Sequence, residues 1–433
     1  MQRYAEGILQ EWLTDEKRKP LIIRGARQVG KSTLVEIVAE SLNIPLCKVN
    51  LERHPQLDDI FSSNDPEKII AEIGSLHRVT PLEPGGILFL DEIQSTPSAI
   101  GALRYFYEER PDVRVIAAGS LLEFALNKAE FSMPVGRIEY LYLYPMGFEE
   151  FLLAMGERKL LTPGTQVAHE RLCELQRIFF FVGGMPEAIA TYCDTKNFDR
   201  VRKVHHSILE TYQDDFPKYA GSRNLGRIQK VFEYVALHVG QKVKYSNIDN
   251  NEQSRTLKGD IRLLTMAKIV TPAYHTSCSG LPLKIGKSES VFKLFFLDVG
   301  LMNAVAEVEW RHMGKDRDLK NEGPMAEQFV AQSLLLAKPS HVSSDLFYWQ
   351  REGKSGNAEV DFVESIDQEI IPIEVKSGSS GRLRSLREFV KKHRSSNAIR
   401  LDLNSPSKQE LDIDGHTFTL KNIPLYHSSR LVE

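Results

Sequence analysis

The chain has 433 residues, of which 42% are hydrophobic and 26% charged, and its formal net charge is -3. That length exceeds one ordinary core and implies roughly two to four domains, while the near-balance of charge gives no overall pull toward nucleic acid and leaves such a partner to local basic faces. No apolar stretch approaches the length that spans a bilayer, Met1 to Glu6 lack a signal-peptide apolar region, and Cys47, Cys173, Cys193 and Cys278 form no C-x-x-C pair; this excludes a membrane protein, a disulfide framework and a zinc site, and makes a cytoplasmic location the expectation.

The first strong element is Leu21-Ile22-Ile23-Arg24, a buried strand, followed by Gly25-Ala26-Arg27-Gln28-Val29-Gly30-Lys31-Ser32 and a helix from Thr33 to Leu42 with apolar residues at Leu34, Ile37, Val38 and Leu42. The middle segment fits G-x-x-x-x-G-K-[ST], the phosphate-binding loop, in the strand-loop-helix setting that the motif requires. Its glycines let backbone amides turn toward a β-phosphate, the helix N-terminus favours the anion, Lys31 reaches the β- and γ-phosphates, and Ser32 can ligate Mg2+. Gly25 to Ser32 and Thr33 are therefore the candidate nucleotide-binding residues. A further strand, Leu46 to Asn50, precedes the apolar run Ile87-Leu88-Phe89-Leu90, which ends in Asp91-Glu92. So hydrophobic a run belongs in the middle of a parallel sheet, with ligands at its carboxyl end. Asp91 is the candidate for Mg2+ and Glu92 for orienting the attacking water, although such a pair also fits a helix cap. Val113 to Ala118 leads into Gly119-Ser120, where Ser120 is placed to sense a γ-phosphate or to cap the next helix.

The run RGARQVGKST, then FLDEIQ, AAGS, Val135-Gly136-Arg137 ahead of the strand Tyr140 to Tyr144 with Pro145-Met146, and Gly183-Gly184-Met185-Pro186-Glu187 together resemble a group of bacterial and archaeal AAA+ superfamily ATPases whose C-terminal half is a domain of unknown function. The resemblance implies ATP as the nucleotide. It also implies that Arg137 reaches a γ-phosphate in cis or across a subunit boundary of a homo-oligomer, beside the alternative of a surface salt bridge. Residues 1–150 form the expected ATPase core. From 151 to 220 helical spacing takes over, as in Leu172, Leu175, Ile178, Phe179 and Val182, and a helical lid is the natural reading; Pro163-Gly164 and Gly183-Gly184 are turns between its helices. His205-His206 cannot face one metal from adjacent helix positions, and Asp214-Asp215 and Glu187 have structural roles as the default.

Residues 221–305 give the outline of a winged helix: Tyr245 to Ile248, a polar turn, a helix from Ser254 to about Met266, and strands at Ile269 to Tyr274 and Ser290 to Leu297. Leu257, Ile261 and Leu264 form the apolar face of the second helix, with Arg255, Lys258 and Arg262 on another. In residues 306–433, Asp361 precedes the strand Ile370 to Lys376, which sets Glu374 and Lys376 on one face. This D…E-x-K arrangement resembles the restriction-endonuclease-like nucleases, in which two carboxylates hold Mg2+ and a lysine assists; Glu327, on a helix from Asn321 to Leu335, resembles their first acidic residue. A following helix carries Arg384, Arg387, Lys391 and Arg394 as a basic stripe suited to phosphate backbone. The expected architecture is thus an α/β P-loop NTPase core of AAA+ type with a helical lid, a winged-helix segment and a nuclease-like α/β domain. The expected function is ATP hydrolysis coupled to a C-terminal domain that acts on or binds DNA. The alternative is a nucleotide-dependent protein- or DNA-interaction switch whose nuclease-like domain is inactive.

Overall fold

In the computed structural model, which describes residues 1–124, 134–162, 164–221, 223–313, 322–351, 358–378 and 383–431, the first apolar runs become strands β1 (Leu21–Arg24), β2 (Leu46–Asn50), β3 (Ile87–Asp91), β4 (Arg114–Gly119) and β5 (Glu139–Tyr142). Pro163, Ser222 and Asn321 lie outside the described residues. The five strands form one parallel sheet in the order β2-β3-β4-β1-β5. Every residue of β3 is buried, which is why that strand reads as an unbroken apolar run: both faces of a central parallel strand are covered. Because β4 lies between β1 and β3, Arg24 pairs with Gly119 and Asp91 with Ala118, so the turns after all three strands open at one level.

The chain divides into two compact units, one of residues 1–144 with 339–343, the other of 145–338 with 344–433. Within the second unit, two sets of contacts run across the expected segments 151–220, 221–305 and 306–433. Strand β6 (Val270–Thr276) pairs antiparallel with β7 (Lys287–Phe296) but also parallel with β8 (Leu346–Gln350), giving a sheet β7-β6-β8-β9 with β9 at Glu359–Val360. A boundary at 305 would cut that sheet and leave an edge unpaired. In addition, Phe329 on the helix Glu322–Leu336 packs at 6.1 Å from Phe148 and 5.8 Å from Phe179, so helices of the expected lid share one aromatic core with the C-terminal segment. The remaining strands, β10 (Phe362–Ile366), β11 (Glu369–Val375), β12 (Asn397–Asp402), β13 (Ser407–Ile413) and β14 (His416–Pro424), form a second sheet in the order β10-β11-β12-β14-β13.

The Gly183-Gly184 turn is fixed by a buried carboxylate. Asp298 is fully buried and caps the helix Val299–Val305 through the amides of Gly300 (2.9 Å) and Leu301 (3.1 Å), while Gly184 N donates to its other oxygen at 2.6 Å. A Cβ on Gly183 would stand 2.1 Å from Asp298 Oδ1, and one on Gly184 the same distance from the Met146 carbonyl. Side chains are excluded at both positions by close approach, and Gly183 also adopts φ +71. Glu187 is exposed at the start of the next helix, Pro186–Thr195.

His205 is buried and its Nε2 lies 2.9 Å from the Val182 carbonyl, whereas His206 is exposed, so the two rings point apart. Burial pushes the His205 pKa down to about 4 from 6.5. A histidine depressed in the folded state contributes stability present above the unfolded value and lost as pH falls toward 4. That loss amounts to about 3 kcal/mol when complete. Denaturant melts of the second unit at neutral and acid pH should show it, and His205→Gln, which cannot titrate, should narrow the difference; an unchanged difference would contradict this role.

Candidate nucleotide site and C-terminal acidic centre

The loop after β1 is held by backbone contacts that its sequence dictates. A Cβ on Gly25 would stand 2.2 Å from the Leu143 carbonyl, and Gly30 turns the chain into the helix Lys31–Ser41 at φ 89. Lys31 is buried, and its Nζ donates to the carbonyls of Gly25 (3.1 Å) and Ala26 (2.7 Å). Burial lowers its pKa to about 8, against the pull of Glu92 and Asp91 and with a further push from Arg27. Ser32 Oγ donates to Asp91 at 3.0 and 2.9 Å to its two oxygens, so the hydroxyl and carboxylate that a magnesium ion needs already meet at the carboxyl end of β3. These hard oxygen donors fit Mg2+. Gln28 and Thr33 are exposed on the loop and first helical turn, and Val29 is buried beneath them.

Glu92 sits in the left-handed region at φ 56, and its carboxylate accepts a hydrogen bond from Gln94 Nε2. Gln94 in turn needs the glycine at 119, where a Cβ would lie 2.3 Å from its Oε1. Ser120 is buried with no hydrogen-bond partner for Oγ among the described residues. Arg137 donates from Nε to Glu108 at 3.0 Å in a half-exposed pair that holds the Glu108 carboxyl below its usual range. Sequence reasoning missed two residues near the loop. Arg3 donates to the carbonyls of Val29 (3.0 Å) and Tyr144 (2.8 Å), and Lys48 approaches Asp91 to 3.6 Å. Neither has a motif around it; only the position of Lys48 on a strand beside β3 gave any signal.

In the second unit, β9 and β10 are one strand broken at Asp361, where it passes from one sheet to the other. Asp361 Oδ2 accepts from Val375 N at 2.8 Å, and Lys376 Nζ donates to Glu374 Oε1 at 2.5 Å, so these expected residues do meet. Glu327 joins them from the helix Glu322–Leu336; its carboxylate is pressed against Gly240, where a Cβ would stand 2.3 Å from Oε2. Burial pushes the carboxyls of Glu327, Glu374 and Asp361 up, while the ammonium groups of Lys293 and Lys376 pull them back toward the charged form. The residue that sequence reasoning missed is Lys293 of β7, which is 1% exposed and lies 2.6 Å from Glu359 and 3.8 Å from Glu327. Although burial favours its neutral form, the carboxylates of Glu327, Asp361 and Glu359 outweigh this and hold the ammonium charged. Carboxylate oxygens suit a divalent cation by type, yet among the described residues no three acidic, histidine or cysteine side chains form a group that could hold a metal ion. As arranged, the centre does not fit one.

Three family models match the chain, one mainly in the first unit and two mainly in the second. Residues 17–152 match the AAA domain family. That match covers most of the first unit, whose parallel α/β core is P-loop NTPase-like. Residues 174–312 and 322–426 match two domains of unknown function, DUF8612 and DUF4143. Among solved structures, the Walker-type ATPase of Pyrococcus abyssi is 15% identical over 70% of this chain and 95% of its own, with a TM-score of 0.45. The ORC2 protein of Aeropyrum pernix is 13% identical over 71% and 94%, at 0.36, and the RuvB Holliday junction branch migration motor of Thermotoga maritima 18% over 63% and 89%, at 0.31. A curated relative, midasin of Giardia intestinalis, is 27% identical over 85 residues, 19% of this chain and 2% of its own length. Among the described residues no helix is long and apolar enough to cross a membrane.

The lowered pKa of buried Lys31 gives its expected role a test by pH. Lys31 must be an ammonium to meet phosphate, so ATP affinity should fall as pH rises through about 8, and binding near that pH should take up a proton. Calorimetric titrations in buffers of different ionisation enthalpy read this directly; binding with no proton uptake near pH 8 would contradict the assignment.

Proposed function

We propose that the chain binds and hydrolyses ATP and couples its nucleotide state to a second unit that engages nucleic acid. The observation that carries the ATPase part is the hydrogen bond between Ser32 and Asp91 at the mouth of the phosphate loop. In this reading Lys31 exchanges the loop carbonyls for β- and γ-phosphate oxygens, and Ser32 and Asp91 hold magnesium, which when bound neutralises charge developing on the phosphates. Glu92, oriented by Gln94, positions the attacking water, and Ser120 offers its unpaired hydroxyl to the γ-phosphate. Arg137 leaves Glu108 to reach that phosphate in cis or from a second copy of the chain. The intracellular setting expected from the sequence is where ATP is available.

For the second unit we read the helices from 148 to 220 as a lid, the helices Leu225–Leu237, Tyr245–Ile248 and Ser254–Met266 with β6 and β7 as a winged helix, and the β10–β14 sheet as nuclease-like. What supports a nucleic-acid partner is the pair of exposed basic faces, Arg255, Lys258 and Arg262 on one helix and Arg384, Arg387 and Lys391 on another. Lys391 is paired with Asp414 at 2.5 Å, and Arg394 is the left-handed cap that ends its helix. The alternative of a switch that binds without cutting is favoured by one specific observation, the ammonium of Lys293 among the carboxylates.

Two measurements check these roles. Glu92→Gln should keep ATP bound while turnover falls on the order of a thousandfold, the cost of removing a water-positioning group; wild-type turnover would refute the role. Charge reversal at Arg384 and Arg387 should weaken duplex binding and lower the log-log salt slope by roughly 0.9 for each phosphate no longer neutralised. No salt-dependent DNA binding by the unmodified chain, with or without ATP, would leave a protein partner instead.

A further inference from the structure

We infer that Lys293 is the resident cation of the C-terminal acidic centre: paired with Glu359 and Glu327, it balances the carboxylates from within, so the folded chain takes no divalent metal ion there. This charge balance holds whether or not nucleic acid is the partner. Lys293 lies in the run Phe292-Lys293-Leu294-Phe295-Phe296, every residue of which is buried. Burying a lone ammonium costs several kcal/mol even after relaxation, so a lysine at this position requires acidic partners close by. The structure supplies them. Glu359 stands at 2.6 Å, Glu327 at 3.8 Å, and the Tyr348 ring, itself fully buried, lies with its centroid 4.9 Å from the ammonium, near enough for a cation–π contribution.

The partners are half-buried around the enclosed lysine. The Glu327 carboxylate lies against Gly240, which at φ +72 has no side chain to occupy that space. Glu359 is held in the two-residue strand β9, paired with Gln350. On the far side of the centre Lys376 takes Glu374 at 2.5 Å, and the Val375 amide takes one oxygen of Asp361. Oxygens remain without hydrogen bonds, Glu327 Oε2 and Glu374 Oε2 among them, but they flank two ammonium groups. Magnesium demands near-octahedral geometry and dehydrates reluctantly. An ion entering here would meet two fixed positive charges and would have to separate at least one pair.

The experiment uses the full chain without nucleotide and Mn2+ as the probe, with bound ion counted by electron paramagnetic resonance at millimolar concentration. The wild-type chain should show no bound Mn2+ that Asp361→Asn removes, so any ion retained at the nucleotide site is told apart by its indifference to that substitution. Lys293→Met, which keeps the stem and deletes the charge, should acquire one Mn2+ that Asp361→Asn abolishes. A stoichiometric ion in the wild-type chain that disappears in Asp361→Asn overturns the inference, and this arm needs no Lys293 variant to fold. Folded Lys293→Met that binds no Mn2+ overturns it as well, because the lysine would then not be what excludes the ion.

Discussion

The hydrogen bond between Ser32 and Asp91 joins the start of the helix after β1 to the end of β3, although those strands are not neighbours. It exists because β4 is inserted between them and sets the three carboxyl ends at one level. The nucleotide-site geometry depends on that constraint. The loop can fold back over β1 only where Gly25 meets the Leu143 carbonyl, and Glu92 can turn out of β3 only in a left-handed conformation beside Gln94. The ammonium of Lys31 is held by the loop's own carbonyls, those of Gly25 and Ala26.

The second unit is organised differently, around charges taken out of water and matched inside the chain. Asp298 collects amides from the Gly184 turn and from the helix it caps. Asp260 is fully buried against Arg227 at 2.5 Å, with Arg223 at 3.7 Å. Lys293 collects Glu359 and Glu327. Each is tolerated because it is paired, and each has at least one partner far away in sequence, Gly184 for Asp298, Arg227 for Asp260, and Glu327 and Glu359 for Lys293, which ties distant segments of the unit together.

Much of the first unit was legible because its signals are local. A strand, a loop with two glycines and a helix follow each other in sequence, and the buried run before Asp91 declares its place in a parallel sheet. The pairing of Glu374 with Lys376 was likewise readable from a two-residue spacing. What could not be read depends on long-range packing. Lys293 looks like a lone charge in a core strand until Glu327 and Glu359 are brought to it, and Gly183-Gly184 looks like an ordinary turn until Asp298 arrives from beyond β7. The pairing of β6 with β8, which runs a sheet across the boundary expected near residue 305, is invisible to periodicity. Arg3 is a surface residue by its neighbours and a clasp on Val29 and Tyr144 by its hydrogen bonds.

The central claim is that Asp91 and Ser32 form a working phosphate site, and release of inorganic phosphate from ATP by the full chain tests it most directly. With magnesium present, the wild-type chain should release phosphate continuously and Asp91→Asn should be slower on the order of a thousandfold, the scale of removing one group that stabilises a transition state. Equal rates for the two chains, or release that does not depend on magnesium, would contradict the account.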